Sequence, residues 1–314
     1  MLEICTTFDK AYAIYGLAMM QSLELHSKEK VYWNILALDH ETHNLLESLK
    51  KPNLRIWLER DISSVDLFDL KLKRTYVEYC WSLASILLDF QIKNSIYQSQ
   101  LVYVDADIFF YGDINKSLKV LKEGNIAIHE HRFSSKPEVN AKKVGRFNVG
   151  IIAGNYSIEF NKCIEEWKLK VIDECVLDTN SGKCGDQHYL NDWPDKFKGL
   201  KIMKDKGDGA GVWNLKNTKL HQESNKIFLD QDELIFFHFH GLKIYFLNKF
   251  LTIFSPSPGY GIKREYFPIY KSYLRSLVEI RNHFNSFRFN RSKIKIPMLI
   301  MHFLQREMKI FINL

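Results

Sequence analysis

The sequence predicts an α/β fold: one domain over residues 1–262, built on a mixed, mostly parallel central sheet, followed by a basic helical region over residues 263–314. Three observations carry this reading. The 314-residue chain is 46% hydrophobic with only 15 Gly and 7 Pro, which suits one large core and excludes disordered or fibrous classes. Strand and helix patterns alternate through the first sixty residues, an order that favours a parallel sheet covered by helices. Charge is divided unevenly, because residues 263–314 hold eleven basic and three acidic side chains. That local net of +8 leaves the preceding 262 residues at −1 of the total +7.

LEICTTF at 2–8 reads as a short buried strand, and 12–27 as a helix with Ala13, Leu17, Met20 and Leu23 spaced by four, three and three. VYWNILALD at 31–39 is a second strand, ETHNLLESLK a helix and NLRIWLE at 53–59 a third strand. A long helix is expected from about Thr75 to Phe90, with Tyr76, Tyr79, Leu83, Leu87 and Phe90 on one stripe. QLVYVDADIFFYGDI supplies another strand. NIAIHEH at 125–131 and FNVGIIAGN at 147–155 follow as strands, separated by FSSKPEVNAKKVG, which lacks apolar periodicity and reads as a loop. A helix over 157–177, a loop over 205–233 and a strand in ELIFFHFHG complete the domain. The five cysteines form no CxxC pair and their number is odd, so reduced thiols are expected. The opening residues lack signal-peptide character, and no stretch reaches the roughly 18–20 apolar residues of a spanning helix. The expected location is cytoplasmic, peripheral on the inner face of a bacterial cytoplasmic membrane.

The chemistry centres on VYVDADIFF. Asp105 and Asp107 follow an apolar run, at the carboxyl end of a strand, where open α/β sheets bind ligands. Residues i and i+2 of a strand share a face, so the two carboxylates can converge on one Mg²⁺ or Mn²⁺ that bridges to a diphosphate. The same pair could equally be solvated carboxylates ending a strand. Asp113 reads as a helix cap. His238 and His240 in LIFFHFHGLK alternate at strand spacing and could join the metal or be structural, with Lys243 placed to meet a phosphate. Asp186 and Gln187 in GDQHYLN either reach a pocket or cap a short helix. Asn148 lies inside an apolar strand and must be hydrogen-bonded to the backbone or to a ligand. His129, His131 and Arg132 add donors near the same sheet edge.

Taken in order, these motifs resemble the GT-A glycosyltransferases, and within them the bacterial enzymes of glycosyltransferase family 8. ICTTFDKAYAIYGLAMMQSL is similar to the family's nucleotide-binding strand and helix, and the resemblance places Thr6, Thr7, Asp9 and Tyr12 at the base and ribose. VDAD resembles the DxD motif, FNVG the FNxG strand, GDQHYLN the DQ motif and HFHG the HxxG element. The likeness spans about residues 4–243. It implies a Mn²⁺ or Mg²⁺ site of Asp105, Asp107 and His238, with His240 as an alternative to His238. Asp105, Ala106 and Lys243 fall among the donor contacts, and Asp186, Gln187 and Asn148 near the transferred sugar. The implied reaction moves a sugar from a nucleotide diphosphate sugar, with UDP favoured, to a saccharide or lipid-linked saccharide acceptor, with retention of configuration. Two departures stand out: HFHGLKIYF carries Lys243 one position early and lacks the family's Pro-Trp, and VEYCWSLAS lacks the usual Arg. VEYCWSLAS, together with GRFNVG, GDQHYL, GVWN and FHFHG, looks closer to bacterial polysaccharide or lipopolysaccharide-locus transferases.

A metal-dependent sugar-nucleotide hydrolase or nucleotidyltransferase is the competing enzyme class, since it too needs paired carboxylates and a diphosphate. The basic, aromatic tail suggests an anionic membrane partner, with Met301, Leu304, Met308 and Phe311 forming the apolar stripe of an amphipathic helix. An ordinary terminal helix packed on the domain would look the same. The near-neutral body argues against nucleic acid.

Overall fold

The computed structural model describes residues 1–62, 66–246, 251–255, 263–284, 287 and 310–313. β1 (Leu2–Phe8), β2 (Val31–Ala37) and β3 (Leu54–Trp57) pair in parallel, connected by α1 (Ala13–His26) and α2 (His40–Ser48). After α3 (Leu67–Lys73) and α4 (Tyr76–Asn94), β4 (Gln100–Val104) returns beside β1. β5 (Ile108–Phe110) and α5 (Asn115–Leu118) then leave the sheet. β6 (Ile126–Glu130), α6 (Pro137–Val144), β7 (Phe147–Gly154) and α7 (Ile158–Asp173) follow, and β8 (Leu177–Asp178), β9 (Lys183–Cys184) and α8 (Trp193–Lys196) lead into β10 (Leu200–Met203). The resulting seven-stranded sheet has the order β10-β6-β7-β4-β1-β2-β3, with only β7 antiparallel to its neighbours. The expected mixed, mostly parallel α/β sheet is therefore present.

The apolar strand runs arise because the sheet is covered on both faces. Successive residues point to opposite sides, so Ile4, Ile35 and Val102 join one core with α1, whereas Cys5, Leu36 and Tyr103 join the other with α4 and α7. Helix starts are fixed by short polar side chains. Thr75 and Glu78 form a capping box at α4, and Ser157 Oγ accepts the Phe160 N–H at α7. Asp39 accepts from Thr42 N–H at α2 and from Lys10 N–H in the loop after β1, which ties that loop to the helix. The five cysteines are free thiols.

Two stretches expected as loops are structured. Residues 133–145 contain α6, which starts at Pro137 and buries no residue, so it has no apolar stripe for periodicity to reveal. Residues 205–233 contain β11 (Ala210–Gly211) and the antiparallel meander β12 (Leu220–Glu223), β13 (Lys226–Leu229) and β14 (Asp232–Glu233), whose strands are too short for an alternating pattern to stand out. A small sheet of order β11-β15-β5 carries β15 (Phe236–His238), and it matters for the site below. β16 (Lys243–Phe246) pairs with β17 (Leu251–Ser255).

In the tail, α9 (Phe267–His283) buries Ile269, Tyr270, Tyr273, Leu274, Leu277 and Ile280 in the core that contains α1. Its apolar face is thus used inside the domain, while Lys271 and Arg275 remain exposed. Ile310–Asn313 form β18 against β17, which corrects a terminal helix running through Phe311. Met301, Leu304 and Met308 lie outside the described residues.

Candidate active site

The site forms where β4 ends. Asp105 follows the strand, and its N–H donates to Gly150 O (2.9 Å), which sets the turn leading to Asp107 and β5. β15 lies antiparallel to β5 with His238 opposite Ile108, one residue from Asp107. The Phe239 N–H donates to the Asp107 carbonyl (2.9 Å). This register brings residues 131 positions apart in sequence together: His238 Nε2 is 3.0 Å from Asp107 Oδ1 and 3.8 Å from Asp105 Oδ2.

The far side of the imidazole is also fixed. Gly150 N–H donates to Asn148 Oδ1 (2.9 Å), and because a backbone N–H cannot accept, that Asn148 atom is the amide oxygen. The same oxygen lies 3.1 Å from His238 Nδ1, so Nδ1 carries the proton and Nε2 faces the carboxylates. Asn148 Nδ2 in turn donates to His131 Nε2 (3.1 Å). His131 is buried and neutral, its pKa pushed down to about 3 by burial and then by His238. Gly150 is required here, since a Cβ would sit 2.6 Å from Asn148 Oδ1 and 2.7 Å from His238 Nδ1.

Charge accumulates at this point. Burial pushes the Asp105 carboxyl up to about 6, against the pull of His238 and with the repulsion of Asp107. Burial acts on Asp107 in the same direction, but the charge and hydrogen bond of His238 outweigh it and hold Asp107 below its ordinary value. Burial disfavours the His238 imidazolium, yet Asp107 and Asp105 together raise its pKa. Asp186 is buried, and desolvation followed by the charge of Asp105 pushes its carboxyl well above the usual range. Gly185 orients it: φ is +58°, and a Cβ would meet the Trp81 ring at 2.5 Å. The Trp167 indole N–H donates to the Asp186 carbonyl (3.0 Å).

Two carboxylates facing a histidine whose other nitrogen is tied to an amide carbonyl could hold a divalent cation. His238 Nε2 and Asp107 Oδ1, 3.0 Å apart, are near enough to each other to hold one ion between them. The residues present fit Mn²⁺ or Mg²⁺.

The other expected residues are placed unevenly. Asp9 Oδ1 accepts from Tyr12 N–H (3.1 Å), and the charge of Asp107, then burial, holds the half-exposed Tyr12 phenol above its ordinary value. Thr7 donates to Leu36 O (3.2 Å) and is partly exposed. Thr6 is fully buried, so its side chain has no surface to offer a base or ribose in this conformation. Ala106 is buried in the turn between the two aspartates. Gln187 donates from its amide nitrogen to Val144 O at the end of α6 (2.7 Å) and to Cys184 Sγ (3.3 Å). Asn148 lies behind His238, with both amide atoms engaged. Of the histidine-arginine edge only His131 reaches the site. Arg132 donates to the carbonyls of Asp205 and Asp208, and His129 packs edge-on to Phe236. The Lys243 side chain lies outside the described residues.

Two residues enter that the sequence reading assigned no chemistry. Tyr76 was expected on the buried stripe of its helix, but it is half exposed and donates to Asp9 Oδ2 (2.7 Å). It opens α4, where the stripe has already left the core. Trp213 packs edge-on to His131 (5.4 Å), His238 (5.4 Å) and His240 (6.3 Å). Its sequence signal is the GVWN motif at 211–214, to which no chemical role attaches.

The sheet order with its antiparallel β7 is that of a GT-A fold. The crystal structure of the galactosyltransferase LgtC in complex with donor and acceptor sugar analogues is similar, with a TM-score of 0.55 and 14% identity, covering 88% of this chain and 95% of that one. No family model matches the sequence. Two uncharacterised proteins of Bacillus subtilis (strain 168) are similar along their length: YfnD, 26% identical over 90% of this chain and 92% of its own, and YfnF, 28% identical over 79% and 84%.

Proposed function

We propose that the protein is a metal-dependent glycosyltransferase that moves a sugar from a nucleotide diphosphate sugar, UDP-linked, to a saccharide or lipid-linked saccharide acceptor in surface polysaccharide synthesis, with retention of configuration. The observation that carries the reading is the His238 Nε2 position, 3.0 Å from Asp107 and 3.8 Å from Asp105, at the end of β4 in a GT-A fold. LgtC, which shares the fold, was crystallised with donor and acceptor sugar analogues. A bound Mn²⁺ or Mg²⁺ supplies Lewis acidity for the departing diphosphate. Asp105, Asp107 and His238 hold that cation, and Asn148 fixes the imidazole that does so. Asp9, braced by Tyr76, and Tyr12 line the approach to the base and ribose. Asp186, whose carboxyl burial keeps towards its neutral form, offers a hydrogen bond to the sugar and not a second repelling charge.

The decisive experiment is a thermal-shift panel of UDP-, GDP- and CMP-sugars with and without Mn²⁺, since ligands that bind only the folded state raise its melting temperature. A shift with UDP-sugars that requires Mn²⁺ is the expected result. No shift with any nucleotide in folded protein contradicts the reading. Release of free sugar from the donor at an acceptor-independent rate would favour the hydrolase instead.

For the membrane partner, the exposed Lys271 and Arg275 of α9 stand within a region of net +8. Each basic side chain near an anionic surface contributes about 1 kcal/mol. Lys271→Gln with Arg275→Gln is expected to weaken co-sedimentation with anionic vesicles by about 10-fold or more, and unchanged co-sedimentation would remove this surface from the proposal.

A further inference from the structure

The third histidine at the site is His240. Its ligand atom, that of His238 and that of Asp107 all lie within 4.8 Å of one another. The two imidazole planes are nearly perpendicular (89°) with centroids 5.8 Å apart. This arrangement is held from the residue between them. The Phe239 ring stacks on Tyr273 (3.9 Å, 21°) in the core, and the Phe239 N–H donates to the Asp107 carbonyl (2.9 Å). Side chains alternate along an extended segment, so anchoring Phe239 inward and to Asp107 turns His238 and His240 together towards that aspartate. His238 is buried, whereas His240 is exposed at the open side of the site and is followed by the turn at Gly241 (φ +72°).

We propose that His240 is an additional protein ligand of the cation, giving a site of two carboxylates and two imidazoles that prefers Mn²⁺ and other first-row transition ions over Mg²⁺. This rests on the metal-dependent reading above. Ligands about 2.1 Å from one cation are separated by about 3.0 Å at right angles and about 4.2 Å across it, so a spread of up to 4.8 Å needs only a small ring movement, which an exposed side chain has room to make. Imidazole suits transition ions, whereas Mg²⁺ takes oxygen ligands and keeps its waters. A second imidazole therefore adds affinity for one class of ion and little for the other.

The test is Mn²⁺ binding to the full chain without nucleotide, followed by loss of the free-Mn²⁺ electron paramagnetic resonance signal, with Mg²⁺ measured by competition. His240→Gln is expected to weaken Mn²⁺ at least about 10-fold while leaving Mg²⁺ within about 2-fold. His240→Asp, an oxygen ligand at the same place, is expected to move the preference towards Mg²⁺. Tight Mn²⁺ binding that neither substitution changes would overturn the role of His240 and leave the metal-dependent reading intact. Failure of the unaltered chain to bind either ion would overturn both.

Discussion

Asp107→Asn is expected to lower sugar transfer by about 10³-fold and to abolish its dependence on Mn²⁺. Among the groups at the site, Asp107 has the closest approach to His238 (3.0 Å) and is mostly buried, so its charge acts where water screens it least. The substitution keeps the side-chain shape and the main-chain carbonyl that accepts from Phe239, so the β15–β5 register is preserved. It removes the negative charge that the cation and the imidazolium compete for. A preorganised electrostatic group of this kind contributes about 3–4 kcal/mol to the transition state, which converts to 10²–10³-fold in rate. Measuring turnover against Mn²⁺ concentration for both proteins checks the expectation. Transfer within a few-fold of the unaltered enzyme, with the same metal dependence, would place the chemistry elsewhere.

The sequence made the frame of this site legible and left its inner connections hidden, for a physical reason. Strands covered on both faces leave continuous apolar runs, so β1, β2, β4 and β7 could be recognised, and the polar residues that interrupt or end such runs marked Asp105, Asp107 and Asn148. Periodicity says nothing about which strand ends meet. That His238 faces Asp107 follows from the antiparallel register of β15 on β5, a long-range pairing with no local signature. The same limit explains Asn148, expected at the sugar but found with its oxygen between Gly150 N–H and His238. The motif places Gln187 at the sugar, and its amide nitrogen is held by Val144 and Cys184. Tyr76 was assigned inward by a helical stripe, although the first turn of a helix can stand clear of the core that its later turns enter. In the tail, alternating basic and aromatic residues fit a membrane helix and a packed helix equally well. Only the burial of Tyr270, Tyr273 and Leu277 decides for packing in α9.

Asn148→Leu is expected to weaken Mn²⁺ binding by about 10- to 100-fold, although Asn148 is not itself placed on the cation. Asn148 acts on the site through a proton. With Asn148 present, its oxygen receives hydrogen bonds from Gly150 N–H and from His238 Nδ1, so once Nε2 gives up its proton to a cation the imidazole presents its lone pair towards Asp105 and Asp107. Leucine fills a similar volume but accepts nothing, so His238 loses the bond that selects this tautomer and Gly150 N–H is left buried without its partner. An unpaired buried donor costs about 1–3 kcal/mol, and a lower melting temperature should accompany the weaker binding. Asn148→Asp separates orientation from mere packing. It retains the acceptor for both donors, and the neutral His131 can change tautomer to donate to it, so Mn²⁺ affinity should recover most of the loss. If Asn148→Leu bound Mn²⁺ as tightly as the unaltered chain, the orientation of His238 would be set by the strand register alone. A loss shared equally by the leucine and aspartate variants would instead assign to Asn148 a purely packing role.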